Sequence, residues 1–167
     1  MAMVDIVIEA DGWAELPGIE ALAIRAVTAA LAAAERHSGG VKTMPDAELV
    51  LLFTDDAAIR DLNSRFRGKA NATNVLSFPA VELAKLGKSP MIGDLALAYE
   101  TCAREAATEA KSLSAHVTHL IVHGTLHLVG FDHETDSDAD KMEALERAVL
   151  ADLDIADPYA DRQEGTA

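Results

Sequence analysis

Apolar residues crowd this chain into short runs separated by turn-forming residues, and the spacing inside each run sets the element it predicts. Asp5–Glu9, DIVIE, is dense in Val and Ile and predicts an early strand. Ile19–Arg36 is rich in alanine and places Leu22, Val27 and Leu31 near helical spacing. It predicts a long helix opened by Pro17 and Gly18 and closed by His37 and the glycines at 39 and 40. Glu48–Thr54, ELVLLFT, has the apolar density of a central strand. Thr54 is then placed to cap a short helix, with Asp55 and Asp56 near its start and Ile59, Leu62 and Phe66 on its apolar side. Arg67, Gly68 and Lys69 turn the chain into a strand at Val75–Phe78, stopped by Pro79. Residues 80–90 read as a connection with at most one helical turn. Gly93–Ala98 predicts a fourth strand and Glu100–Ala110 a helix. Ser112 or Ser114 caps the next helix, which runs through HVTHLIVHGTLHLV and breaks at Gly130. A last helix spans about Ser137–Leu150, with Met142, Leu145 and Val149 on one packing stripe.

This order of elements implies a single α+β domain, an about four-stranded mixed sheet surrounded by about five helices. The domain is expected over residues 1–160, with 161–167 as a flexible tail. Aromatic residues make up only 4% of the chain, so the core must be built mainly from Leu, Val, Ile and Ala. The opening MAMVDIVIEA has no basic segment leading into a long apolar run, and no apolar stretch reaches the length of a membrane span. A soluble, cytoplasmic protein with no membrane partner is expected. The single cysteine, Cys102, cannot form an internal disulfide, which agrees with a reducing compartment, and it reads as a small packing residue.

Charge narrows the partners. Twenty-eight acidic side chains against 14 basic ones give a formal net charge of -14, which argues against broad, unassisted binding to a phosphate backbone. The imbalance is uneven: Asp132–Glu164 holds twelve acidic and three basic residues, whereas SRFRGK at 64–69 holds three basic residues and no acidic one.

The candidate chemistry lies in HGTLHLVGFDH, residues 123–133. On a helix, His123 and His127 stand four residues apart on one face, where two imidazoles can reach one ion. Gly130 permits the bend that brings His133 back as a third ligand. Three neutral imidazoles suit one Zn2+ ion and leave a fourth position for water, although nickel, cobalt or manganese could also bind. The spacing is that of the metzincin-like HExxHxxGxxH helix, but Gly124 stands where that pattern has its glutamate, so an ordinary protease mechanism lacks its base.

HGTLHLVGFDH, together with FRGKANATNVLSFP at 66–79 and IGDLALA at 92–98, resembles the YbeY family, also called the UPF0054 or rRNA maturation factor family. The likeness runs in order across roughly Ile59–Tyr159, and DPY at 157–159 resembles the family's C-terminal end. The resemblance implies a cytoplasmic, zinc-dependent endoribonuclease specific for single strands. It further implies a role in maturation of the 16S rRNA 3′ end and in ribosome quality control. It makes His123, His127 and His133 the zinc ligands and matches Arg67 to a basic residue facing the cleft. Arg67 could then bind the phosphate and stabilise charge that develops on it. The implied partners are single-stranded rRNA and the small ribosomal subunit or its proteins, and the acidic charge favours help from such a protein. Oligomeric state is not set by the sequence.

The remaining polar residues have competing readings. Asp132 could act as a base, orient a ligand, cap the next helix or simply face solvent. His119, one turn before His123, could reach the site, although packing is the plainer reading; His116 and His37 read as structural or exposed. Lys69 is either a phosphate contact or a solvated turn residue. Thr73, Val75 and Ser77 share one face of their strand and Asn74, Leu76 and Phe78 the other, without indicating which side meets the metal. Asp94 and Glu100 could orient basic groups across a cleft, against turn chemistry and helix-start electrostatics. The acidic run 132–140 does not match a calcium loop. Two rival functions stand beside RNA hydrolysis: a metalloprotease, and a nonenzymatic ribosome-associated factor with structural zinc.

Overall fold

A four-stranded mixed sheet organises the chain, with β1 (Met3–Ile8), β2 (Glu48–Thr54), β3 (Val75–Pro79) and β4 (Met91–Ala98) in the spatial order β1-β2-β4-β3. The computed structural model describes residues 2–37, 47–69, 71–80 and 90–160. The glycine stop at 39 and 40, most of the 80–90 connection and the 161–167 tail lie outside the described residues. β1 pairs with β2 and β2 with β4 in parallel, while β3 runs antiparallel along the edge of β4 with Ser77 opposite Leu95. Parallel neighbours need crossover connections. α1 (Ile19–His37) lies on the path from β1 to β2, and α2 (Asp56–Arg67) on the path from β2 to β4.

Both faces of the sheet contribute buried side chains. Leu49, Leu51, Phe53, Leu95 and Leu97 join one core with α1 and α4 (Leu113–Leu128). Leu76, Ala96 and Ala98 meet Ile59 of α2 in a second, smaller one. Helix α1 presents Ala23, Ala26, Val27, Ala30, Ala33 and Ala34 inward, while Leu22 and Leu31 are only partly buried. Small side chains at a helix contact allow a short interaxial distance, so the packing stripe is carried by alanines rather than by the leucines expected to mark it. α3 (Tyr99–Thr108) and α5 (Asp136–Asp152) complete the five α-helices among the described residues. No helix among the described residues is long and apolar enough to cross a membrane.

Several boundaries differ from the sequence reading. β1 begins at Met3 because its ladder with β2 starts at Met3 opposite Glu48. Asp55, not Thr54, caps α2: Asp55 Oδ1 accepts the Ala58 amide at 2.8 Å, while the Thr54 hydroxyl donates to Glu9. Glu100 accepts the Asp56 amide at 2.9 Å and Asp56 accepts the Thr101 amide and hydroxyl, so the starts of α2 and α3 satisfy each other's free N–H groups. Glu100 is therefore committed to a helix start. A 3-10 turn at Asp11–Glu15 buries Trp13 against Phe53 and Tyr99, with its indole N–H donating to the Thr54 carbonyl.

Candidate metal centre

Helix α4 starts where Ser112 Oγ accepts the Ala115 amide, which settles the choice between Ser112 and Ser114. It ends in a Schellman motif: the Phe131 amide donates to the Leu126 carbonyl and the Gly130 amide to that of His127. Gly130 sits at φ 104, where a side chain would strain the backbone. This reversal is what returns the chain, so that the His133 ring lies 5.8 Å from His123 and 6.1 Å from His127, centroid to centroid. His123 and His127 are themselves 6.4 Å apart and nearly parallel.

Hydrogen bonds fix the chemistry of the two helical rings. His127 Nδ1 lies 3.0 Å from the Phe131 carbonyl, which can only accept, so Nδ1 carries the proton and Nε2 keeps its lone pair. His123 Nδ1 lies 3.2 Å from Glu146 Oε1. Burial pushes the Glu146 carboxyl up, but the hydrogen bonds from His119 and His123 prevail and hold it at about 2. It is thus an ionised acceptor, and His123 also donates from Nδ1. Both rings keep Nε2 as a lone pair, the arrangement in which an outer hydrogen bond orients an imidazole able to bind a metal.

Burial, and then the neighbouring His123, lower the pKa of His127 from its ordinary 6.5. The sign follows: a histidine depressed in the fold contributes fully above its unfolded value and loses that contribution as pH falls through the folded one. The thermal midpoint of metal-free protein should decline below pH 6.5, and less steeply for His127→Gln. Equal slopes across pH 5–7 would contradict this assignment.

The donor set suits zinc chemically. Three imidazoles holding one zinc ion would stand closer together than these rings do. Consistently, no group of three His, Cys, Asp or Glu among the described residues stands at ion-holding distance. His133 is exposed on its loop.

Gly124 is buried against the sheet. A Cβ there would lie 2.8 Å from Leu95 Cδ2, 3.2 Å from its Cδ1 and 3.4 Å from Ser77 Oγ. The position after the first histidine, where a zincin holds its glutamate, here faces packed strand side chains. The same contact puts the Ser77 face of β3 towards α4. On the outer side of that strand, Arg67 donates to the Ser77 carbonyl at 2.6 Å and lies over the Phe78 ring at 5.6 Å. One guanidinium hydrogen bond is thereby used, and the side chain is held beside the strand that packs on Gly124. Lys69 is exposed two residues further on. Asp132 Oδ1 accepts the Glu134 amide at 3.2 Å, and Thr135 caps α5. Asp94 is exposed on β4.

His116 and Cys102 find their partners outside the three rings. His116 is buried and bonds Glu105 at 2.9 Å. Burial first, then the charge of Glu105, pushes the Cys102 thiol up to about 12, so it is an inert packing group. His119 reaches the histidine cluster from beneath: its Nε2 lies 2.8 Å from Glu146 Oε1. Two members escaped the sequence reading. Glu146 is 1% exposed and sits among Met142, Leu145 and Val149. A charged residue inside an apolar stripe was the available signal. Tyr159 donates to both Glu146 oxygens, at 3.1 and 3.2 Å. A cavity of about 250 Å³ opens beside His123 and His133 and is walled by Met142, Glu143, Glu146 and Tyr159.

Fold and site together define a class: an α+β domain whose core helix offers two imidazoles, with a third beyond a glycine bend. The family model described as "Endoribonuclease YbeY" matches residues 18–154. A protein of that name from Bradyrhizobium diazoefficiens is 48% identical over 97% of this chain and 87% of its own length. One from Azorhizobium caulinodans is 49% identical over 97% and 99%. The chain belongs to the YbeY endoribonuclease family. The solution structure of TM1509 from Thermotoga maritima shares the fold, with a TM-score of 0.56 at 20% identity over 93% of this chain and 98% of that one.

Proposed function

We propose that this protein is a zinc-dependent endoribonuclease that cuts single-stranded RNA in the cytoplasm, acting at the 3′ end of 16S rRNA and in quality control of the small ribosomal subunit. Family membership supports the reaction type. The observation that carries the site is the pair of helical imidazoles with Nδ1 engaged, on Glu146 and the Phe131 carbonyl, beside the ring of His133. Once bound, zinc would supply a polarised phosphoryl oxygen and a water acidified to about pKa 7.

The rest falls to the chain's own groups. His123, His127 and His133 hold the ion. Arg67 keeps donors beyond its bond to Ser77 for a nonbridging phosphate oxygen, and its planar fork suits that geometry. Lys69 adds a mobile positive charge on the same basic turn. With a net charge of -14, the chain gains RNA affinity from a ribosomal protein rather than from a wide basic surface of its own. Gly124 offers no base for peptide hydrolysis, which weighs against the protease reading.

The test is cleavage of a single-stranded 16S rRNA 3′ precursor by zinc-loaded protein, with an unstructured peptide as parallel substrate. Arg67→Ala should lower cleavage about 10²–10³-fold, the usual cost of one transition-state donor. Its stability should fall by only about 1 kcal/mol for the lost Ser77 bond. Peptide cleavage without RNA cleavage would replace this reading by the protease.

A further inference from the structure

Glu146 is not a ligand candidate, since both its oxygens are already engaged, yet it is the residue on which the histidine cluster converges. Its Oε1 takes His119 Nε2 at 2.8 Å, the Tyr159 hydroxyl at 3.1 Å and His123 Nδ1 at 3.2 Å. Ordinary core positions do not hold a carboxylate at 1% exposure, because removing its charge from water is costly unless partners compensate. Its hydrogen bond to His123 has a chemical consequence: Oε1 already lies against His119 Nε2 and accepts the Tyr159 hydroxyl, so as an acceptor it selects the Nδ1–H tautomer of His123 and leaves Nε2 as the lone pair. Tyr159 ties in the segment that follows α5. That segment is fastened in turn by the Arg147–Asp157 ion pair at 3.3 Å and by Arg147 over the Tyr159 ring at 5.3 Å.

We infer that Glu146 is a positioning residue for the metal centre: it fixes the tautomer and orientation of His123, and with Tyr159 it makes the segment after α5 part of the site's support. This rests on the metal reading above and adds a residue to it. Such outer hydrogen-bond partners typically affect metal affinity 10–100-fold. Glu146→Gln keeps the volume and one acceptor but removes the charge, whereas Glu146→Leu removes every acceptor and frees the His123 ring. Tyr159→Phe deletes one donor to the carboxylate while keeping the ring.

Two measurements decide it. Nitrogen-15 spectra of the imidazoles in metal-free protein should show His123 as Nδ1–H in wild type and Glu146→Gln, and as a mixture of tautomers in Glu146→Leu. Zinc affinity, read by competition with a chromophoric chelator, should fall about tenfold in Glu146→Gln and about 100-fold in Glu146→Leu, with a smaller loss in Tyr159→Phe. A wild-type His123 protonated at Nε2, or wild-type zinc affinity in Glu146→Gln, overturns the inference. Should Glu146→Leu not fold, the wild-type spectrum and the Gln affinity still decide. Should wild type bind no zinc, the metal reading falls, and the tautomer of His123 alone decides the role of Glu146.

Discussion

His127→Ala should cut RNA cleavage by about 10³-fold or more while leaving a folded protein. A metal acting as Lewis acid contributes several kcal/mol to transition-state stabilisation, and each 1.36 kcal/mol is about a factor of ten in rate. Two imidazoles cannot hold zinc as three do, so that whole contribution goes at once. The structural cost is small, because His127 is only partly buried and its one hydrogen bond, to the Phe131 carbonyl, is worth about 1 kcal/mol. Binding gives a second readout without activity. Zinc at about 100 times its dissociation constant stabilises the native state by about 2.7 kcal/mol, so wild type should show a zinc-dependent rise in melting temperature and His127→Ala should show none. Cleavage by His127→Ala at the wild-type rate would remove the metal from the reaction altogether.

What the sequence displays is what local geometry sets. His123 and His127 share a helix face through their spacing alone, and Gly130 ends that helix because its own residues close the Schellman bonds. The four strands and five α-helices of the described residues emerge for the same reason: each run's period is its own. The losses are of two kinds. Adjacent residues able to do the same task are not separated by pattern, as with Thr54 and Asp55, where the direction in which β2 leaves the sheet decides which oxygen meets Ala58. Contacts made across the fold leave only oblique marks. Glu146 lies 23 residues from His123 and Tyr159 a further 13 from Glu146, so nothing in either neighbourhood announces that they meet at one carboxylate. The alanine face of α1 is hidden similarly, since its leucines look like the packing stripe until α4 comes near.

Gly124 shows how such a long-range contact bears on function, and Gly124→Glu should prevent stable folding. The substitution looks as though it would restore a zincin motif. On its own helix it would improve propensity, since glycine in a helix interior costs about 1 kcal/mol relative to alanine. Against that, its Cβ would meet Leu95 Cδ2 at 2.8 Å, and Leu95 is fully buried between sheet and helix with little room to yield. Overpacking of this kind costs about 1–3 kcal/mol, and an unpaired carboxylate carried into the same layer costs several kcal/mol more. A domain of this size has only about 5–15 kcal/mol in total. Denaturant titration should find Gly124→Glu unfolded or severely destabilised. Gly124→Ala, where helix propensity offsets most of the crowding, should lose at most about 2 kcal/mol. Pairing Gly124→Ala with Leu95→Ala should show the two changes to be coupled, because the second opens the space the first requires. If Gly124→Glu proved as stable as wild type, the close approach of α4 to β4 and β3 would be wrong, and the absence of the glutamate would need a chemical explanation instead of a steric one.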